Sequence, residues 1–357
     1  MAAAETIREE APPLVRARGV DLRWGLVAAA FLVGSLLVGL GVGPVGIGAG
    51  SIVESALSYV PLLHVHQPLD AVHHAVLWQL RAPRVVLAAL VGGMLAVSGS
   101  AYQGVFRNPL ADPYLLGVAG GAGLGATLAI VYGVAASGSS SIVPLAAFAG
   151  AIAAVVATYV LGRSAGAARA SGALVLAGVT VATFTAAVQT FVQQRHTEVL
   201  QNVYAWLLGG FATSTWGDVA MVAPYVAVSA VLLVLHRRVL DVLSLGDDEA
   251  AALGVDVART RLVIVVVATL GTAAAVAVSG LIAFVGIIVP HAVRLLVSTS
   301  YRAVVPLSLV VGAGFLVLAD VLARTVLSPA ELPIGVVTAF FGAPFFAVVL
   351  RTARTMR

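Results

Sequence analysis

Lysine is missing from all 357 residues, so each of the 20 basic side chains is an arginine. The phosphate-binding loop of P-loop ATPases needs its lysine, and Schiff-base catalysis needs a lysine amine, so both are excluded. Cysteine is missing as well, which removes disulfides, thiolate metal sites and cysteine nucleophiles. Charge of either sign is scarce: 10% of residues are charged, 60% are hydrophobic, and the mean hydropathy is +1.04. A soluble domain cannot bury that much apolar surface, so lipid must cover it, and the expected class is an all-α integral membrane protein. The isoelectric point near 9.8 fits arginine-bearing inner loops better than nucleic-acid binding.

Apolar runs predict ten spans, at 24–42, 84–103, 114–132, 142–161, 172–192, 219–236, 260–283, 284–297, 304–324 and 333–350. The eighth is short and interrupted by Pro290. Residues 1–23 are polar and form an expected cytoplasmic tail, leaving 24–357 as one transmembrane domain. With the N-terminus inside, the C-terminus is inside too, and sixteen arginines fall on the inner face. The four outer exceptions are Arg81, Arg84, Arg195 and Arg324. Val97-Ser98-Gly99 recurs as Val278-Ser279-Gly280, each glycine followed ten residues later by a proline. The two copies lie on spans of opposite direction, the pattern of an inverted repeat.

The densest charge inside the chain is at 243–261, LSLGDDEAAALGVDVARTR. Asp247-Asp248-Glu249 suit the positive end of a short helix that Gly254 stops, and Asp256 is placed to cap a second short helix. Two short helices on the water side of a membrane protein are expected to form a docking surface.

Other polar residues invite more than one reading. Arg81 and Arg84 in LRAPR, with Arg324, are either interfacial side chains paired locally or a basic rim for an acidic partner. Asp320, the most deeply placed carboxylate, is one helical turn from Arg324 and is expected to pair with it. Thr185, Gln189 and Gln193 form an uncharged stripe, flanked by Thr183, Thr190 and Gln194, that suits a wet path. His64, His66, His73 and His74 crowd one outer loop in no familiar metal-ligand spacing, so no metal site is assigned. His291 and Arg294 are expected to form a packed, hydrogen-bonded pair. The run 121–126 matches G-x-G-x-x-A formally but opens an apolar span where no strand precedes it, so it is packing glycine.

These blocks together resemble the FecCD-type permeases of bacterial ABC importers for ferric siderophores, haem and cobalamin. The resemblance runs from Leu80 to Arg351 through LRAPRVVLAALVGGMLAVSG, YQGVFRNPLADPYLLGVAGGAGLG, YAWLLGGF, LGDDEAAALGVDVARTR, GLIAFVGIIVPHAVRLL, LADVLAR and ELPIGVVTAFFGAPFF. It implies a type II importer permease: ten spans per subunit, a dimer with a path along its interface, and a bacterial plasma (inner) membrane location. It further implies two cytoplasmic ATPase subunits that use ATP and magnesium, and an extracytoplasmic binding protein that delivers a metal chelate. By the same resemblance, Arg81, Arg84 and Arg324 receive glutamates of the binding protein. Gly246, Glu249, Ala250, Leu253 and Gly254 belong to coupling helices at about 246–257. Thr185, Gln189 and Gln193 line the path, with Ser171 in a gating loop near 170–172. No catalytic residue, bound cofactor or nucleic-acid partner is implied. The competing reading is a stand-alone transporter driven by an ion gradient, which needs buried ionisable groups that the spans largely lack.

Overall fold

The computed structural model describes residues 19–60, 67–132, 142–164 and 170–355, and among them it contains helices and turns but no strand. In chain order the helices are α1 (Leu22–Gly41), α2 (Ala49–Leu57), α3 (Ala71–Ala75), α4 (Ala82–Phe106), α5 (Val118–Val131), α6 (Ile142–Arg163), α7 (Ala170–Arg195) and α8 (Leu200–Leu207). There follow α9 (Trp216–Leu235), α10 (Arg237–Leu243), α11 (Asp247–Ala252), α12 (Val257–Ser279), α13 (Val285–Leu296), α14 (Tyr301–Thr325) and α15 (Ile334–Thr355). A π-helical segment, Val76–Arg81, joins α3 to α4. Among the described residues, seven helices are long and apolar enough to cross a membrane, and α5, α13 and the Ile334–Ala347 part of α15 are shorter apolar helices. Each predicted span coincides with one of these ten.

Side-chain caps set many of the boundaries. Asp21, Asp256 and Ser300 accept from backbone amides at the starts of α1, α12 and α14, and Thr215 with Asp218 forms a reciprocal capping box at α9. Asp256 therefore caps the long α12, not the second short helix expected from the sequence. The other short helix of that stretch is α10, upstream of α11.

The fold is built around α4, in which 21 of 25 residues are buried. Its main partner is α14, which runs antiparallel to it along its whole length. Arg84 at the start of α4 meets Asp320 near the end of α14, Gly92 meets Gly312 midway, and Gly104 meets Tyr301 at the far end. A Cβ on Gly92 would sit 2.3 Å from the Gly312 carbonyl oxygen, so the two backbones touch there. The glycines of 121–126 serve the same purpose against α6: a Cβ on Gly121 would meet the Gly150 oxygen at 2.2 Å.

Pro290 lies inside α13 without breaking it. Proline has no N–H to offer the carbonyl four residues earlier, which is that of Gly286. Gln103 of α4 takes its place, its amide nitrogen donating to the Gly286 oxygen at 3.0 Å. The interruption predicted at Pro290 is absent because a neighbouring helix supplies the missing donor.

The tripeptide match at 97–99 and 278–280 does not extend to local structure. Gly99 is in mid-helix, whereas Gly280 ends α12 at φ 68°.

Candidate functional site

Polar chemistry concentrates at the two ends of the α4–α14 pair. At one end, the sequence RAPR places Arg81 and Arg84 either side of Pro83 at the start of α4, and LADVLAR places Asp320 and Arg324 on the last turns of α14. The Arg84 fork is fully engaged. Its Nε and Nη2 donate to Asp320 at 2.9 and 2.8 Å, and its Nη1 and Nη2 donate to Glu331 at 2.8 and 2.9 Å. Arg81 donates to the carbonyls of Leu40 and Gly41 at 3.0 and 3.2 Å and also to that of Val45; Arg324 donates to that of Gly39. The carbonyls of Gly39, Leu40 and Gly41 end α1 and have no partner within their own helix, and two guanidiniums suit the negative end of its dipole.

The structure brings together the three arginines singled out in the sequence and commits each to bonds within the chain. Arg81 and Arg84 are only 5% and 9% exposed. Asp320 pairs chiefly with Arg84; the expected partner, Arg324, stands off at 3.7 Å. Helical spacing found the near arginine, but the closer one comes from 236 residues away. Three arginines against two carboxylates leave this buried cluster with one positive charge in excess. Glu331, in the connection between α14 and α15, is its most exposed member. Hydrogen bonds from Arg84 hold the Glu331 carboxyl below the ordinary glutamate range, so the pair is intact at neutral pH and is lost only as pH falls through that lowered value.

At the other end, Asp-Asp-Glu does open a short helix, α11, and Gly254 at φ 83° turns the chain after it. Ala250 is fully buried and seats α11 on the bundle. Asp248, Glu249 and Leu253 face outward, and the flanking leucines Leu245 and Leu253 are 64% and 65% exposed. Two of the carboxylates turn inward instead. Asp247 binds Arg261 at 2.9 Å and Arg107 at 3.2 Å, tying α11 to α12 and to the end of α4. Asp241 accepts from the Ser300 hydroxyl at 2.7 Å and the Tyr301 amide at 2.6 Å, and pairs with Arg302, so α10 is clamped to the first turn of α14. Sequence reasoning missed Asp241, Arg107 and Ser300 in this role. A serine just before an apolar run is a helix-cap signal, which Ser300 fulfils, but its second partner lies 59 residues away.

On α7 the predicted stripe faces inward. Thr185 and Gln193 are 8% and 9% exposed, and Gln189 is half-buried. The Thr185 hydroxyl donates to carbonyls of its own helix and packs on Gly120 of α5, while Gln189 packs on Gly123. The open face of α7 carries Thr180, Thr183, Phe184, Thr190, Phe191 and Gln194 instead. The stripe is buried because α5 offers glycines opposite it, a pairing that spacing along α7 alone does not reveal. Ser171 lies in the first turn of α7, not in a loop, and its side chain is outside the described residues.

A model of the FecCD transport family matches residues 22–352. The chain belongs to this family. It is 38% identical over 359 residues to the cobalamin import system permease protein BtuC of Halobacterium salinarum, covering 92% of this chain and 95% of that one. It is 35% identical over 343 residues to the hemin transport system permease protein HmuU of Yersinia pestis, covering 93% and 99%. Its fold is similar to that of a solved metal-chelate type ABC transporter in an inward-facing conformation, with TM-score 0.81 and 30% identity over 93% of this chain and 100% of that chain. The protein is a multi-pass membrane permease of the FecCD family, of the kind that serves ABC importers of metal chelates.

The remaining polar residues of this FecCD permease have local explanations. His73 bonds to Asp70, and His74 meets the Tyr59 hydroxyl at 2.8 Å; no group of three metal-ligating side chains occurs among the described residues. His64 and His66 lie outside the described residues, as do residues 1–18 of the predicted tail. His291 and Arg294 do not bond to each other. His291 packs edge-on against Phe345, and Arg294 lies over the Tyr301 ring. Arg195, the unexplained outer arginine, lies over Phe191 one turn earlier on α7.

Proposed function

We propose that this chain is one of two permeases in an ATP-driven importer that moves a bulky metal chelate inward across a bacterial plasma membrane. The observation that carries the proposal is the family match from the first apolar helix to the last. In this reading ten helices cross the membrane, both termini are cytoplasmic, and the α11 end faces the cytoplasm. Two ATPase subunits bind ATP and magnesium and seat on Glu249, Leu253 and Gly254, while buried Gly246 and Ala250 hold α11 in place for that contact. A substrate-binding protein docks at the Arg84 end. The path follows the open face of α7 at the dimer seam, with the start of α7 as its gate. This chain makes and breaks no covalent bond, so none of its residues is catalytic. The named relatives import cobalamin and hemin, so the proposed cargo is the class of large chelates that includes them and ferric siderophores.

Reconstitution with the ATPase and binding protein tests the whole reading. Uptake of a labelled chelate is expected to require ATP and to survive collapse of ion gradients. Uptake that needs a gradient and no ATPase would establish the stand-alone transporter instead. Asp320, the buried carboxylate such a transporter would need, is bound by arginine at one end of the bundle.

Two variants probe the faces separately. Leu253→Asp is expected to weaken ATPase co-purification by at least about tenfold, since an exposed leucine of this kind is worth about 1.5–3 kcal/mol when buried in a contact; Glu249→Arg should act in the same direction. Retention of the ATPase by both variants would refute the coupling role. At the other face, an incoming carboxylate reaches Arg84 by exchanging with Glu331. Glu331→Gln is therefore expected to tighten capture of the binding protein by about fivefold, the worth of one partly exposed ionic competitor. Unchanged or weaker capture would rule the exchange out.

A further inference from the structure

A cavity of about 440 Å³ opens between α6, α7 and α12, beside the α11 end of the bundle. Its lining is polarised. Arg163, at the last residue of α6, and Arg261, in the second turn of α12, stand at one end. Val155 on α6 and Val266 on α12 mark the other end. Val155 is eight residues from Arg163, so the apolar wall runs about 12 Å along the helix. Among the described residues, no acidic residue lines the cavity.

Both guanidiniums have bonding capacity to spare. Arg163 is exposed, lies over the Tyr159 ring at 5.7 Å, and has no acidic partner among the described residues. Arg261 gives its Nη2 to Asp247, while its Nε is buried without an acceptor among the described residues. The site thus offers two positive groups at one end, near the level where membrane helices emerge, and an aliphatic slot running from them along α6 and α12. That is the shape and charge pattern of an anionic amphiphile.

We propose that the cavity holds one anionic glycerophospholipid, its phosphate between Arg163 and Arg261 and an acyl chain along the wall between Val155 and Val266. The slot selects a lipid over a soluble phosphate because most of its lining is aliphatic. Arg163, which has no acidic partner among the described residues, and the unused Nε of Arg261 select an anionic headgroup over a zwitterionic one. Arg261 also holds Asp247, the first residue of α11, so the lipid sits one side chain away from the proposed ATPase contact. The site does not depend on the cargo, on the orientation of the termini or on any partner, and it would stand if the importer reading failed.

Native mass spectrometry of the full chain, released from detergent after titration with phosphatidylglycerol or phosphatidylcholine, tests the proposal. One phosphatidylglycerol per chain is expected to be retained preferentially. Arg163→Gln should reduce that retention by about fivefold, the worth of one arginine near an anionic headgroup. Val156→Trp, which fills the slot from an exposed position, should reduce it as well, and Arg238→Gln, an arginine outside the cavity, should not. Equal retention of the two lipids by the unsubstituted chain would overturn the proposal without reference to any variant. So would phosphatidylglycerol retention insensitive to Arg163→Gln. Displacement of bound phosphatidylglycerol by inorganic phosphate would show that the arginines bind phosphate alone and that the slot is incidental.

Discussion

Gly99→Val is expected to leave little monodisperse protein after detergent extraction, and the residue's surroundings explain why. A Cβ at Gly99 would sit 1.9 Å from the Gly286 carbonyl oxygen and 2.6 Å from the Gly286 Cα. The obstacle is backbone, so no side-chain rotation relieves it. Gly286 is also packed against Leu95 of α4 and against Pro113 in the connection to α5, so α13 has little room to adjust there. Displacing α13 would also break the Gln103 bond to the Gly286 carbonyl that Pro290 leaves unpaired, adding an unsatisfied buried group. Overpacking of this kind costs about 1–3 kcal/mol even where neighbours yield, and here they are main chain. Gly34→Ala supplies the contrast. Gly34 is helical, and a Cβ added to it would meet nothing within 4 Å, so alanine there is expected to be neutral or to stabilise by up to about 1 kcal/mol. Thermal aggregation in detergent followed by size exclusion reads both. A Gly99→Val protein that survives heating like the unsubstituted chain would refute this account of the α4–α13 contact.

The second large effect is expected at Asp320, which is 1% exposed and neutralises the Nε face of Arg84. Asp320→Ala leaves one carboxylate, Glu331, for three arginines. Removing one member of a buried ion pair costs about 3–5 kcal/mol, because the remaining charge stays buried and uncompensated. Replacing both partners is expected to be milder: Arg84→Met with Asp320→Leu should recover much of the loss, leaving Glu331 partly exposed to find solvent. The readout is detergent stability of the single and double variants. Asp320→Ala matching the unsubstituted chain, or a double variant no better than that single one, would contradict the assignment of Arg84 and Asp320 as one electrostatic unit.

Local chemistry was legible in the sequence. Ten apolar runs became ten helices, and the acidic start of α11 and the turn at Gly254 stand where 243–261 placed them. What the sequence concealed is partnership across the chain. The rule that residues one turn apart meet on a helix linked Asp320 to Arg324, but a fork from α4 lies closer. The spacing of Thr185, Gln189 and Gln193 identified one face of α7 correctly and said nothing about the glycines of α5 that cover it. Asp241 stands just upstream of the acidic stretch, and its bond to the start of α14 depends on how α10 folds back. Pro290 read as a break because its remedy, Gln103, belongs to another helix. In each case the residue's own chemistry was evident and its neighbour was not.

The glycine contact between α4 and α14 has a mechanical consequence. Where Gly92 touches the backbone of Gly312, a slip of one helical turn would drive Cβ atoms such as that of Leu316 into main chain. The two helices therefore cannot ratchet past each other. They are also pinned at both ends, by Arg84 with Asp320 at one and by Asp241 and Asp247 at the other. A strut of this kind, about 37 Å long from the rise of 25 helical residues, tilts as one body. A displacement imposed on α11 is then expected to reach the arginine cluster at the far end as a tilt of the whole strut, with little loss to sliding between its two helices.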